Sequence, residues 1–267
     1  MLEMFQYEFM RRAFIVGALL AIILPCIGLT IVLKRLSMIG DTLSHSSLAG
    51  LTIGLVAGIN PILSSIIFCI IAGFSIEFIR KRLKSYQEIS TVIILAASIG
   101  IAGLFSSLVK NASSISSYLF GSIVTISDGE FYLILAVSIF VILLYKIMYT
   151  RLFLSVFDIR NAKILGINTN FINFLITFLT AVTISLAART IGSLIVSSLL
   201  VIPVICAMQY TKTYKKTLIL SIIFSFIFVY AGLIISYFLN LKPGSVIVLL
   251  SVICLLISIS IKTKRRI

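Results

Sequence analysis

Two residues whose side chains bind divalent metals stand four positions apart in the segment IGDTLSHSSLAGLTIGL. They are Asp41 and His45, and His45 is the only histidine of the 267-residue chain. Residues four apart share one face of an α-helix, and a carboxylate with an imidazole suits zinc, manganese or ferrous iron. Two ligands make an incomplete site, which a second copy of the chain could complete on a symmetry axis. We therefore treat Asp41 and His45 as the candidate metal ligands.

Two other interpretations of this pair stay open. Asp41 could cap a helix that starts after Gly40, while His45 forms a hydrogen bond with a carbonyl in the neighbouring turn. The acid and the imidazole could also relay protons, because membrane pumps use such pairs.

The elements that must position the pair are membrane helices. Hydrophobic residues make up 60% of the chain and charged residues 11%, which is more apolar surface than a soluble domain of this length could bury. The formal charge of +14 is carried by short clusters between apolar runs, at 80–84, 212–216 and 262–266. Such clusters are typical of cytoplasmic loops and not of a surface that follows phosphates. No nucleic-acid partner is expected, and the bilayer is the first partner.

Apolar runs predict an all-α, polytopic bundle of eight or nine transmembrane helices in a single domain, 1–267. The runs lie at 12–33, 43–59, 61–79, 89–109, 130–149, 169–187, 190–209, 217–239 and 245–262. The second and third runs, and the sixth and seventh, are so close that one could be re-entrant. Nine spans put the C-terminus inside and the N-terminus outside, which leaves Arg11 and Arg12 on the wrong side. Eight spans put both termini inside.

Small residues recur every four positions from Ser46 onward, at Gly50, Gly54 and Gly58. Such a ridge lets helices approach closely. It is rotated by roughly a quarter turn from the face of Asp41 and His45. We expect the ridge to pack the helix within its own subunit and the ligand face to line a path.

Two connecting segments are long enough to have a role. Residues 110–129 are rich in serine and lie on the predicted outer side, whereas residues 150–168 lie inside and suit a short amphipathic helix against the membrane surface. Arg189 could mark an interface or line a cavity. We interpret the remaining acids as solvated or interfacial, namely Glu77, Glu88, Asp128 and Glu130.

Five ordered motifs carry a resemblance to a known family. They are KRLSMIGDTLSHSSLAGLTIGLVAG at 34–58, FGSIVTIS at 120–127, FDIRNAKILGI at 157–167, IGSLIVSSLLVIPVICA at 191–207 and KPGSVIVLLSVICLLIS at 242–258. Through nearly its whole length the chain resembles the permease subunit of bacterial zinc and manganese ABC importers, the ABC type 3 (ABC-3) family.

The resemblance implies a homodimeric permease of the bacterial cell membrane. Such a permease takes ions from an extracytoplasmic metal-binding protein and is driven by separate cytoplasmic ATP-binding subunits. It implies no catalysis of its own, in agreement with the lack of a GxxxxGK[ST] phosphate loop, and no permanently bound cofactor. Zn²⁺, Mn²⁺ or Fe²⁺ would be the transported ion.

The family's metal-contacting acid and histidine fall on Asp41 and His45. Its cytoplasmic coupling helix falls near 155–168, so the resemblance implies that Phe157, Asp158, Arg160, Ala162 and Gly166 couple the permease to the ATPase. Family members often carry an acid after the FD pair, where this chain has Ile159 and Arg160. The detailed contacts to the ATPase are therefore expected to differ.

Two functions compete with this prediction. A proton-coupled secondary metal transporter would use Asp41 and His45 without any ATPase. A membrane metalloenzyme would need further ligands, and the chain has no second histidine and no other carboxylate predicted in mid-membrane. For the ion we favour zinc over manganese, because the general affinity order does.

Overall fold

The computed structural model describes residues 7–83, 87–109, 118–119, 121, 128–239 and 241–264. The described chain contains helices and no strand, so the all-α prediction is confirmed. The helices are α1 (Glu8–Leu33), α2 (Met38–Ala57), α3 (Pro61–Arg82), α4 (Gln87–Ser106), α5 (Asp128–Phe157), α6 (Ile159–Ile164), α7 (Thr169–Ile191), α8 (Ser193–Tyr210), α9 (Tyr214–Leu239) and α10 (Pro243–Lys264).

Within these ranges, seven helices are long and apolar enough to cross a membrane, namely α1, α3, α4, α5, α7, α9 and α10. The two other long helices, α2 and α8, match the second and seventh apolar runs. α2 has 20 residues, but its acid, its histidine and its hydroxyl side chains lower its hydropathy. α8 has 18 residues, and its apolar stretch Ile195–Tyr210 is shorter than those of the seven. Each predicted run thus forms a helix, and a bundle of eight or nine spans fits.

The polar helix α2 is enclosed by its neighbours. It packs against α3, α4, α7 and α8, and twelve of its residues are buried. α1 lies beside this group, against α5, α8 and α9. Burial inside the bundle is how a membrane protein tolerates a helix with ionisable residues, because lipid cannot solvate them.

A tight turn joins α2 to α3. Gly58 ends α2 in the left-handed conformation with φ +68°, and its N–H donates to the Gly54 carbonyl, which is a common helix end. The Asn60 side chain then accepts hydrogen bonds from the backbone N–H groups of Ile62 and Leu63, and Pro61 takes the first helical position. The two helices therefore run antiparallel and side by side.

The helix α5 is longer than the apolar run 130–149 that predicted it. It has 30 residues and continues through Phe157, because no glycine or proline interrupts 150–157. The amphipathic surface helix expected over 150–168 is therefore wrong for its first half, and only Ile159–Ile164 forms a separate short helix. At 1.5 Å per residue α5 is about 45 Å long, which exceeds the roughly 30 Å hydrocarbon layer.

An ion-pair cluster joins the first turns of α1 and α5. Arg12 contacts both Glu8 and Asp128. Two carboxylates thus neutralise Arg12, so its location on the outer side no longer argues against nine spans with the N-terminus outside. In that orientation the other ends of α1, α3 and α5, with the start of α7, face the cytoplasm.

Candidate metal-binding site

The structure places Asp41 and His45 on one narrow stripe of α2. Between Ile39 and Thr52 the side chains that keep exposed surface are those of Asp41, His45 and Leu48, and the others are buried. The positions follow the i, i+4, i+7 spacing of one helix face. α2 is therefore packed on all sides but one, and that side carries both candidate ligands.

Neither ligand is used in local structure. Within the described part of the chain, the side chains of Asp41 and His45 form no hydrogen bond or ion pair, and Ser37 occupies the cap position of α2 without a side-chain cap. The interpretation of Asp41 as a helix cap is therefore wrong. An acid and an imidazole left without protein partners in a membrane bundle support the hypothesis of a functional site.

The depth of the pair follows from its contacts with α3. The Cys69 thiol donates to the Leu43 carbonyl at 3.3 Å, and Leu43 lies between the two ligands. Cys69 is the ninth of the 22 residues of α3, about 12 Å from the start of that helix. Asp41 and His45 are thus level with the middle of α3 and not with its end.

Buried hydroxyl groups fix α2 behind the ligand stripe. The Ser65 hydroxyl is 2.8 Å from that of Ser47 and 2.7 Å from that of Ser185, so one chain of hydrogen bonds joins α2, α3 and α7. The Ser46 and Ser98 hydroxyls, 2.7 Å apart, join α2 to α4. In a membrane the hydrophobic effect does not drive helices together, so hydrogen bonds between helices contribute to their association.

The small-residue ridge brings α2 and α3 into backbone contact. A Cβ atom on Gly50 would lie 2.6 Å from Phe68 Cβ and 2.8 Å from the Ser64 carbonyl oxygen, and one on Gly54 would lie 2.9 Å from Pro61 Cα. Gly58, predicted with them, has open space around it and serves the turn through its positive φ. The close approach therefore ends at Gly54.

A second polar cluster lies toward the outer end of the bundle. Arg189 Nε donates to Glu130 Oε1 at 3.0 Å, and the Arg189 guanidinium carbon lies 4.4 Å from the ring centroid of Tyr118. Arg189 and Tyr118 line a cavity of about 10 Å³ together with Leu48 and Ser193. Leu48 belongs to the ligand stripe, so this cluster lies one turn beyond His45.

The predicted coupling segment follows α5. Asp158 begins α6 by accepting a hydrogen bond from the Asn161 backbone N–H at 2.9 Å, and Gly166 closes the following turn with φ +73° in open space. Ala162 is fully buried, whereas Phe157 and Arg160 are exposed. Two residues that the motif did not single out are among the most exposed apolar ones, Ile164 at 80% and Leu165 at 65%.

Two acids were misinterpreted as interfacial. Glu77 is only 7% exposed and pairs with Arg80, and Glu130 pairs with Arg189. The i, i+3 spacing of Glu77 and Arg80 could have indicated their pair. Nothing in the sequence indicates a pair between residues 59 positions apart.

The chain on its own offers an incomplete metal site. Among the described residues no group of three or more His, Cys, Asp or Glu side chains could hold an ion. Zinc sites in proteins are almost always four-coordinate. Asp41 and His45 would supply half of such a set, on the one face of α2 that is not packed against the rest of the chain.

The fold and this site define a membrane permease for metal ions. The chain belongs to the ABC 3 transport family, whose model matches residues 6–262. The family predicted from the sequence motifs is therefore confirmed. The chain is a multi-pass cell-membrane protein.

Relatives of this chain are named as membrane proteins of metal transport systems. It is 36% identical to a probable metal transport system membrane protein of Treponema pallidum over 97% of both chains. It is 29% identical to a manganese transport system membrane protein of Listeria monocytogenes, covering 95% of this chain and 90% of that one. It is also 29% identical to a high-affinity zinc uptake system membrane protein of Buchnera aphidicola, covering 95% and 97%.

A solved structure shares the fold. PsaBC from Streptococcus pneumoniae in complex with Fab superposes with a TM-score of 0.84 at 25% identity, covering 94% of this chain and 91% of that one. The family membership gives no support to the proton-coupled alternative.

Proposed function

We propose that two copies of this chain form the pore of an importer that carries a divalent transition metal into the cytoplasm. The observation that supports this most is the unpartnered pair Asp41 and His45 on the open stripe of α2. Two such stripes facing each other would supply two carboxylates and two imidazoles, which is a full tetrahedral set.

The ion that we propose first is Zn²⁺, with Mn²⁺ second and Fe²⁺ as a further candidate. Nitrogen and oxygen ligands suit all three, and affinity at such sites rises from manganese through iron to zinc. The relatives named above include one for zinc and one for manganese. Selectivity could therefore also rest with the extracytoplasmic metal-binding protein that delivers the ion.

We propose that ATP hydrolysis by separate cytoplasmic subunits drives transport through α6. Exposed Phe157, Arg160, Ile164 and Leu165 form a surface at the projecting end of α5. Three other residues act indirectly. Asp158 caps α6, Ala162 is buried and packs it against the bundle, and Gly166 ends the segment. A push on α6 would pass along α5 and rotate the subunits, so that the site opens to one side and then to the other.

The ligand assignment is tested with Asp41→Asn and His45→Gln in cells that express the importer with its ATPase and binding protein. Losing a ligand should lower uptake of radiolabelled zinc by at least about tenfold, since even outer-shell partners of a metal contribute about that factor. Leu55→Ala, two turns beyond Leu48 on the same helix face but carrying no ligand, is the matched control. Normal uptake by both ligand variants at normal membrane levels would reject the site.

The energy source is tested in the same cells. Loss of the ATPase subunit should abolish uptake, whereas an uncoupler that removes the proton gradient at constant ATP should leave it intact. The reverse result would reject an ATP-driven permease and restore the proton-coupled alternative. Cellular metal content under separate zinc and manganese limitation names the ion.

A further inference from the structure

A large cavity lies at the predicted cytoplasmic end of the bundle, away from Asp41 and His45. It has a volume of about 610 Å³ and lies between the end of α1, the end of α3, the end of α5 and the first turns of α7. Cavities of this size accommodate small organic ligands. No role in the proposed transport function accounts for it.

The lining of this cavity is strongly basic. Lys34, Arg35, Arg80 and Lys81 line it, against one carboxylate, that of Glu77. Glu77 is already paired with Arg80. Within the described ranges, the other three cations form no salt bridge. Such a cavity repels a divalent cation and attracts an anion, so it is not part of the ion path.

Lys34 is the cation most affected by this environment. Its Nζ donates to Asn173 Oδ1 at 2.6 Å. Burial, with a smaller contribution from Arg80, lowers the pKa of Lys34 to about 8. The Glu77 carboxylate, which is shared with Arg80, offsets only part of the desolvation of this ammonium group, and an anion placed in the cavity would offset more.

The start of α7 adds further attraction for an anion. Thr169 and Asn170, in the first turn of that helix, line the cavity beside Asn173, and the positive end of a helix dipole favours negative charge. Next in sequence to the lining residues, α3 and α7 carry the exposed phenylalanines Phe78, Phe171 and Phe174. Charged lining and apolar flanks thus meet at the membrane interface.

We propose that this cavity binds the phosphate headgroup of an anionic phospholipid from the cytoplasmic leaflet, with the acyl chains along the exposed phenylalanines. Basic pockets between transmembrane helices on this side bind such headgroups. The bound lipid bridges α1, α3 and α7 to Ser155 and Val156 of α5. It therefore steadies the end of α5 from which α6 projects, and transport depends on anionic lipid.

The assembled importer with its ATPase, purified in neutral detergent, is titrated with phosphatidylglycerol or phosphatidylcholine and followed by native mass spectrometry. Phosphatidylglycerol should bind in preference. Lys34→Gln, which keeps a donor toward Asn173 but loses the charge, should weaken that binding about fivefold, the contribution of one cation near an anionic lipid. Lys81→Gln, at an exposed position, repeats the test with less risk to folding.

Lys215→Gln is the matched control, because Lys215 is an exposed cation at the cytoplasmic start of α9 and does not line the cavity. Its binding of phosphatidylglycerol should equal that of the wild type. Equal binding of both lipids, or unchanged binding by both Lys variants, would overturn the proposal. Displacement of the lipid by equimolar inorganic phosphate would assign the cavity to a free anion instead. Binding seen only after removal of the ATPase would assign it to an acidic side chain of that partner.

Discussion

Arg189 joins α7 to the start of α5 through its 3.0 Å hydrogen bond to Glu130, under the ring of Tyr118. Both charged side chains are largely shielded, with 20% and 14% of their surfaces exposed. A shielded charge that loses its partner keeps its desolvation cost without compensation. Removing one member of the pair should therefore lower the free energy of unfolding more than removing both.

We expect Arg189→Ala or Glu130→Ala alone to lower the free energy of unfolding by about 3 kcal/mol, because each removes one partner of a shielded ion pair. The double variant should be more stable than either single one. Melting temperatures of the purified protein in detergent measure this, with exposed Arg160→Ala as control. Additive losses in the double variant would contradict the pairing.

Gly50→Ala should destabilise the protein by about 1–3 kcal/mol, because a Cβ there meets Phe68 and the Ser64 carbonyl and must push α3 away. Gly100→Ala on α4 has open space around it and is the matched control. It should be neutral or slightly stabilising, since alanine favours helix. Equal melting temperatures of the two variants would contradict the close α2–α3 approach.

Gly166→Ala should reduce metal-stimulated ATPase activity of the assembled importer, although a Cβ at this position would meet no atom within 4 Å. Its φ of +73° is a conformation that glycine adopts freely, that asparagine tolerates and that alanine resists by about 1 kcal/mol. Gly166→Asn should therefore keep more activity than Gly166→Ala. If the larger asparagine is the worse substitution, side-chain size and not backbone conformation limits this position.

The contribution of Lys34 to the stability of the folded protein should increase as the pH rises from about 8. Between about 8 and the ordinary value near 10.5, folded Lys34 has released a proton that the unfolded chain still holds. Stability rises with pH wherever the unfolded state binds more protons. The groups that face Lys34 are Arg80, Glu77 and Asn173. The melting temperature of the wild type relative to that of Lys34→Gln should increase across this window, and parallel curves would contradict the assignment.

Hydropathy alone located the helices, since each apolar run of 17 residues or more became one, and glycine with proline marked the turn at Gly58 and Pro61. Spacing alone placed Asp41 and His45 on one face. Their lack of protein partners and the burial of Glu77 depend on which helices surround them, and periodicity carries no such information. The pairing of Glu130 with Arg189 likewise exists only once α5 and α7 are adjacent.

The linked hydroxyls of Ser47, Ser65 and Ser185 have a further consequence for movement. Three helices tied together in their interior turn as one rigid body, so a transport cycle that shears them apart would have to break buried hydrogen bonds. A single residue, Gly192, separates α7 from α8, and its φ is +107°. A movement of α8 relative to the three tied helices would therefore have to be absorbed at Gly192, as at a hinge.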